Sequence, residues 1–162
     1  MFKSNFKSKI VNIDQLLKLR QDWANMNEMV VFTNGCFDIL HRGHVDYLNK
    51  AAELGTKLIV AINSDKSVTS IKNPNRPIQD EQSRSEIMAS MGCVDAVIIF
   101  NETTPLELIK ALNPNILVKG ADYKPKDIVG YDSVTSYGGK VITLDFLTGY
   151  STSLIEKKIK GY

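Results

Sequence analysis

Cysteine, histidine and long apolar runs are scarce in this sequence. It holds two cysteines in 162 residues, Cys36 and Cys93. Neither stands at a metal-binding spacing from a partner, which argues against a zinc fold and a disulfide scaffold. Both read as buried free thiols in a reducing cytoplasm. No apolar run approaches the ~18 residues that a membrane helix needs. Met1 to Lys9 carries three lysines without an apolar core behind them, so no secretory leader is expected. The net charge of +2 is too mild to predict a nucleic-acid partner. Gly-x-Gly-x-x-Gly is missing, and with it the dinucleotide fingerprint.

What is present is an alternation. Five short β-branched runs, Met29 to Thr33, Leu58 to Ile62, Ala96 to Phe100, Ile116 to Val118 and Val141 to Leu144, lack polar alternation and read as strands buried on both faces. Amphipathic stretches lie between them: Val45 to Leu54, Asp80 to Met91, Thr104 to Leu112, a weaker Asp127 to Tyr137, and Ser151 to Lys160, with Leu154, Ile155 and Ile159 inward. A further helix, Ile13 to Trp23, precedes the first strand, with Asp14 aiding its start. The pattern predicts one α/β domain over residues 1–162, a helical extension at 1–28 and a core at 29–160. That core is a doubly wound, Rossmann-like parallel sheet of about five strands with helices on both faces. Ligands of such sheets sit beyond the carboxyl ends of the strands. The loops after strands one, two and four are therefore the places to search. Ser64 to Pro77 reads as a long irregular loop, a common place for function.

The sharpest local signal follows strand one: Thr33-Asn-Gly-Cys-Phe-Asp-Ile-Leu-His-Arg-Gly-His44. Gly35 allows close backbone approach, and Gly43 a tight entry into the next helix. His41 and His44 are the chain's only histidines and would share one face of a helical turn. At a helix start they can meet phosphate; capping, surface placement and half a metal site are the other readings.

The tetrad His41-Arg-Gly-His44 resembles the signature of the nucleotidyltransferase superfamily. The longer string from Thr33 to His44 resembles one branch, the bacterial D-glycero-β-D-manno-heptose 1-phosphate adenylyltransferases. Asn75-Arg-Pro77, Val118-Lys-Gly-Ala-Asp-Tyr-Lys-Pro125 and Gly149-Tyr-Ser-Thr-Ser153 extend the likeness, from about Ile10 to Lys160. One departure is Ser153, where the branch usually has threonine; the hydroxyl is kept. Many members carry an N-terminal sugar kinase domain; with none here, a separate kinase upstream is expected.

The resemblance implies attack of a sugar 1-phosphate oxygen on the α-phosphorus of ATP, with Mg²⁺ accompanying the nucleotide. No protein ligand set for the ion can be read. A phosphate monoester is already largely dianionic near neutrality, so catalysis reduces to positioning and stabilising charge. His41, His44 and Lys119 are then the catalytic candidates. Thr33, Asn34, Gly35 and Phe37 would line the nucleotide crevice, with Ser151, Thr152 and Ser153 donating to the β- and γ-phosphates. Asp38, Asp65, Arg76, Arg84, Asp122 and Tyr123 are the substrate-binding candidates. Asp38 reads equally as an Asx-turn, Arg76 and Lys119 also as solvated cations, and Asp122 and Tyr123 also as a turn. The resemblance further implies a cytoplasmic homodimer. The rivals are a CTP-dependent glycerol- or ethanolamine-phosphate cytidylyltransferase, a nucleotide-binding module without turnover, and a flavoprotein of similar shape.

Overall fold

A computed structural model describes residues 5–161. Four of the extension's residues, 1–4, thus lie outside the description, as does residue 162. After a short 3-10 turn at Phe6–Lys9, the chain enters α1 (Ile13–Asn25). Asn12 rather than Asp14 starts this helix. Its side chain accepts from the Gln15 amide while Gln15 Oε1 accepts from the Asn12 amide, both at 2.9 Å. This reciprocal capping satisfies two orphan donors.

The core strands are β1 (Val30–Gly35), β2 (Lys57–Asn63), β3 (Ala96–Phe100), β4 (Ile116–Gly120) and β5 (Lys140–Leu144). They form one parallel sheet in the order β3-β2-β1-β4-β5. The crossovers hold α2 (Arg42–Ala52), α3 (Asp65–Ile71), α4 (Glu81–Ser90), α5 (Leu106–Leu112) and α6 (Tyr131–Ser136), and α7 (Thr152–Lys160) ends the chain.

Alternation along each strand feeds two separate cores. Val30, Phe32 and Leu117 pack on one face with Leu16 and Trp23 of α1, Ile109 and Leu112 of α5 and Val134 of α6. Val31, Val60 and Val118 pack on the other with Leu48 and Ala51 of α2 and Met88 of α4. Both faces are apolar because both are covered, which is why the strands read as unbroken hydrophobic runs. Each such buried side chain contributes ~1.5–3 kcal/mol.

The structure corrects several boundaries. Ser64 to Pro77 is not one loop: Ser64 Oγ accepts from the Ser67 amide and starts α3. Polar Asp65-Lys-Ser and Thr-Ser flank its one buried apolar residue, Val68, so the helix has little periodic signal. α2 begins three residues before Val45, which is 37% exposed. β1 starts after Met29 and runs on to Gly35, and β4 runs on to Gly120, so Lys119 stands within a strand. Asp127 to Tyr137 divides into a 3-10 turn, Pro125–Asp127, and α6, broken at Gly130, whose φ of 94° suits glycine. Leu154 and Ile159 of α7 do not point inward. They are 45% and 65% exposed, because no element packs over that face among the described residues. Cys36 and Cys93 are free but only half-buried.

Candidate active site

Strand order reverses between β1 and β4, and the loops leaving them part to opposite sides. A hollow of about 360 Å³ opens there, at the carboxyl ends of the strands. The first loop supplies Asn34, Gly35 and Phe37; α2 supplies His41, His44 and Tyr47; β4 supplies Lys119; Asp122 and Tyr123 follow it; Ser151 closes the far wall.

His41 and His44 lie in one stack. Their ring centroids are 3.8 Å apart and the planes 21° from parallel. Two imidazolium cations would repel at that distance, and the environment keeps the rings neutral. Burial lowers both; the charge of His41 adds to the effect on His44, whose pKa falls to about 4 despite the opposing Ile39 backbone. Phe37 closes the stack edge-on, 5.3 Å from His44. Phe37 itself holds a left-handed φ of 47°, which turns the loop back over its own strand.

Lys119 approaches from β4. Its ammonium donates to the Asn34 carbonyl at 3.2 Å and lies 6.0 Å from the Tyr123 ring. Burial pushes its pKa down to about 8, against Asp122 and Cys36, which favour the charge. A cation held in a half-closed hollow without a tight counterion is prepared to meet an anion.

Three buried polar atoms here have no hydrogen-bond partner: His41 Nδ1, His44 Nδ1 and Asn34 Oδ1. Natural interiors satisfy nearly all such atoms. No side chain caps α2, whose start at His41 borders the same space, so its first amides and its dipole also favour an anion there.

Gly43 makes the closure possible. A Cβ there would come within 3.0 Å of the His41 ring and 3.2 Å of the Tyr150 carbonyl. Arg42 donates to the Tyr150 hydroxyl at 3.0 Å and lies 5.2 Å from its ring, tying the segment before α7 across the mouth. Phe146 presses so close to Gly120 that a Cβ there would collide with its ring.

Of the residues singled out in the sequence, Asn34, Gly35, Phe37, His41, His44, Lys119, Asp122, Tyr123 and Ser151 line the hollow. The rest do not. Thr33 is fully buried, and its hydroxyl pairs with Tyr47 at 2.8 Å. Ser151 Oγ caps α7 by accepting from the Leu154 amide at 3.2 Å, while Thr152 and Ser153 are not among the residues that line the hollow. Arg84 is 0% exposed. Its guanidinium donates to the Gln79 and Cys36 carbonyls and to Asp65 at 2.7 Å, so three of its five N–H groups pin the loops. Asp38 accepts from the amides of Ile78 and Gln79 and pairs with Arg76 at 2.5 Å. Burial alone would raise the Asp38 pKa; those amides and Arg76 outweigh it and hold the carboxyl below its usual value. Arg76 also pairs with Glu156 of α7. Asp38, Asp65, Arg76 and Arg84 thus brace the frame behind the hollow.

Sequence reasoning missed Tyr47, Phe146, Tyr150 and Arg42. Tyr47 was legible, since it lies three residues beyond His44 on the same helical face. Phe146 and Tyr150 reach the site only through the return of the chain after β5, which no local pattern announces.

A doubly wound sheet with a donor-lined hollow at its switch point is an architecture that many nucleotide-binding α/β proteins share. The cytidylyltransferase-like family model matches residues 32–158, and the chain belongs to that family. It is 46% identical over 151 residues to the "Bifunctional protein HldE" of Methylobacillus flagellatus, 93% of this chain and 31% of that protein. With the protein of the same name from Vibrio cholerae it shares 50% over 152 residues, 94% of this chain and 32% of the relative. The chain therefore spans about a third of the length of these relatives. Among solved structures, the lipopolysaccharide core biosynthesis protein of Thermoplasma volcanium superposes with a TM-score of 0.61 at 28% identity, covering 76% of this chain and 99% of that one. The pantoate-beta-alanine ligase of Francisella tularensis, at 19% identity and a TM-score of 0.62 over 93% of this chain and 76% of that one, shares the fold.

Proposed function

We propose that the chain is an adenylyltransferase that moves AMP from ATP to a sugar 1-phosphate, with D-glycero-β-D-manno-heptose 1-phosphate as substrate and ADP-heptose and pyrophosphate as products. The observation that carries this reading is the convergence of two stacked imidazoles, an ammonium without an ion pair among the described residues and a helix start on one hollow. All are hydrogen-bond donors that can meet negative charge. The family and the relatives named "Bifunctional protein HldE" support the same reading.

The triphosphate would lie against the start of α2, with His41 and His44 donating to it and His44 nearest the reacting α-phosphate. Lys119 would bridge the α- and β-phosphates, and the Ser151 end of α7 would meet the γ-phosphate. Asp122 is the one carboxylate among the lining residues, and no cluster of three His, Cys, Asp or Glu gathers among the described residues. That donor set fits Mg²⁺ held chiefly by triphosphate oxygens and water, which when bound neutralises phosphate charge. The half-buried thiols suit a reducing, cytoplasmic setting, and the exposed face of α7 suits a homodimer. A kinase acting earlier would supply the sugar 1-phosphate.

A product assay tests the reading: heptose 1-phosphate, glycerol 3-phosphate and phosphoethanolamine, each with ATP and with CTP. Pyrophosphate release with ATP and the heptose is expected. Release only with CTP would make the protein a cytidylyltransferase, and ATP binding without any product would make it a module without turnover.

A further inference from the structure

A second hollow, of about 350 Å³, lies beside the first. The two share Asn34, Gly35, Cys36, Lys119 and Tyr123 as a common wall, so Lys119 borders both. The first hollow sits over β1 and β4. The second extends over β2, whose last residue, Asn63, lines it, and over the segment after β3, which adds Thr103 and Thr104. Lys72, at the end of α3, stands on its rim and makes no ion pair among the described residues. Burial raises the Cys36 thiol, and the largest opposing influence is the charge of Lys72, which places that ammonium's field inside the hollow. Asn63 is only 3% exposed. Its amide donates to Ser67 Oγ at 3.0 Å, which fixes its orientation.

We propose that this second hollow receives the acceptor sugar phosphate, with Lys72 as the cation for its phosphate and Thr103, Thr104 and Asn63 meeting its hydroxyls. The inference rests on the adenylyl-transfer reading and gives the acceptor a place that keeps only Tyr123 of the substrate-binding candidates named from the sequence. Asp38, Asp65, Arg76 and Arg84 are paired with one another or with Glu156, whereas Lys72, the two threonines and the shared wall are not committed in that way. Two ammonium groups, Lys72 and Lys119, set among hydroxyls and amides suit the phosphate and hydroxyls of a polyol phosphate; Asp127 is the one carboxylate of the lining, and Ile71, Pro105, Ile128 and Val129 are its apolar part. With donor and acceptor in adjoining hollows, Lys119 faces phosphate from both. An acceptor phosphate oxygen forms the new bond to the α-phosphorus. The bond from that phosphorus to the α,β-bridging oxygen breaks, and its electron pair leaves with pyrophosphate. No side chain has to take up or give up a proton.

Lys72→Gln separates this from the parent reading. The substitution should raise KM for the sugar 1-phosphate on the order of 10- to 100-fold, the loss of one charge-assisted contact. KM for ATP should stay within about twofold of the starting value, and Lys72→Arg should recover part of the loss. Unchanged acceptor KM, or an equal rise for both substrates, overturns the assignment. A binding experiment decides the matter independently of turnover. The protein is saturated with α,β-methylene-ATP and titrated with heptose 1-phosphate while its amide resonances are followed. Shifts at Lys72, Thr103 and Thr104 are expected; shifts confined to the His41 to Tyr47 segment overturn the site. A wild-type enzyme that turns over no sugar phosphate sinks the adenylyl-transfer reading, and the titration still shows whether the hollow takes up a sugar phosphate.

Discussion

Lys119 is a cation that the free protein holds at a cost. Its folded pKa, about 8, lies below the ordinary lysine value of 10.5, so the folded state gives up the proton more readily than the unfolded chain. Charged Lys119 therefore opposes folding fully below about pH 8, and the penalty fades as pH rises toward 10.5. Allowing for screening by solvent, it is worth ~1–3 kcal/mol. Lys119→Met should accordingly be more stable than the wild type at pH 7 in urea unfolding, should lose that advantage between pH 8 and 10.5, and should be nearly inactive. A variant destabilised at pH 7 would mean that the ammonium is a structural group. His44 makes a matching case. His44→Ala gives up ring contacts with His41 and Phe37, so the variant should fold with a modestly lower melting temperature while kcat falls on the order of 100-fold or more. Near-normal turnover would remove the imidazole from the reaction.

At the scale of elements, the ion pairs behind the site act as pins. Arg84 of α4 ties Cys36 and Gln79 to Asp65 at the start of α3, so two loops and two helices share one buried guanidinium. Arg84→Met should cost ~2–3 kcal/mol in urea unfolding, because two carbonyls lose their donor. Both KM values of the folded protein should stay close to wild type. A large rise in acceptor KM without loss of stability would return Arg84 to the substrate. The same contrast between pinned and open charges separates what the sequence could disclose from what it could not. Strands β1 to β4 were legible because both sheet faces are buried there and each run is uninterrupted; β5 is an edge strand with no fully buried residue, contrary to the expectation, and showed only through its β-branched run. The histidine pair was legible because a helical turn fixes residues three apart on one face. α3 was hidden by its polar composition. The fate of Arg84, Arg76, Asp38 and Asp65 was hidden because a charged residue near a ligand loop reads the same whether it meets phosphate or a residue far along the chain. Inward-facing residues were also assigned to α7 from spacing alone, and spacing does not say whether a neighbouring element exists to cover them.

For the whole molecule, topology does most of the chemical work. One reversal of strand order brings the β1 loop, the start of α2, the end of β4 and the return after β5 to a single crevice, and in the proposed adenylyl transfer the reacting groups are phosphates that the substrates themselves provide. The protein's share is to hold donors where charge gathers and to keep the two phosphates in register. The bond that breaks is the most direct test of that account. ATP labelled at the α- or the γ-phosphate is incubated with the enzyme, Mg²⁺ and heptose 1-phosphate, and the products are separated. Label from the α position should appear in the nucleotide sugar and label from the γ position in pyrophosphate, with none on the protein. Label from the γ position on the acceptor, or α label retained on the protein, would contradict it.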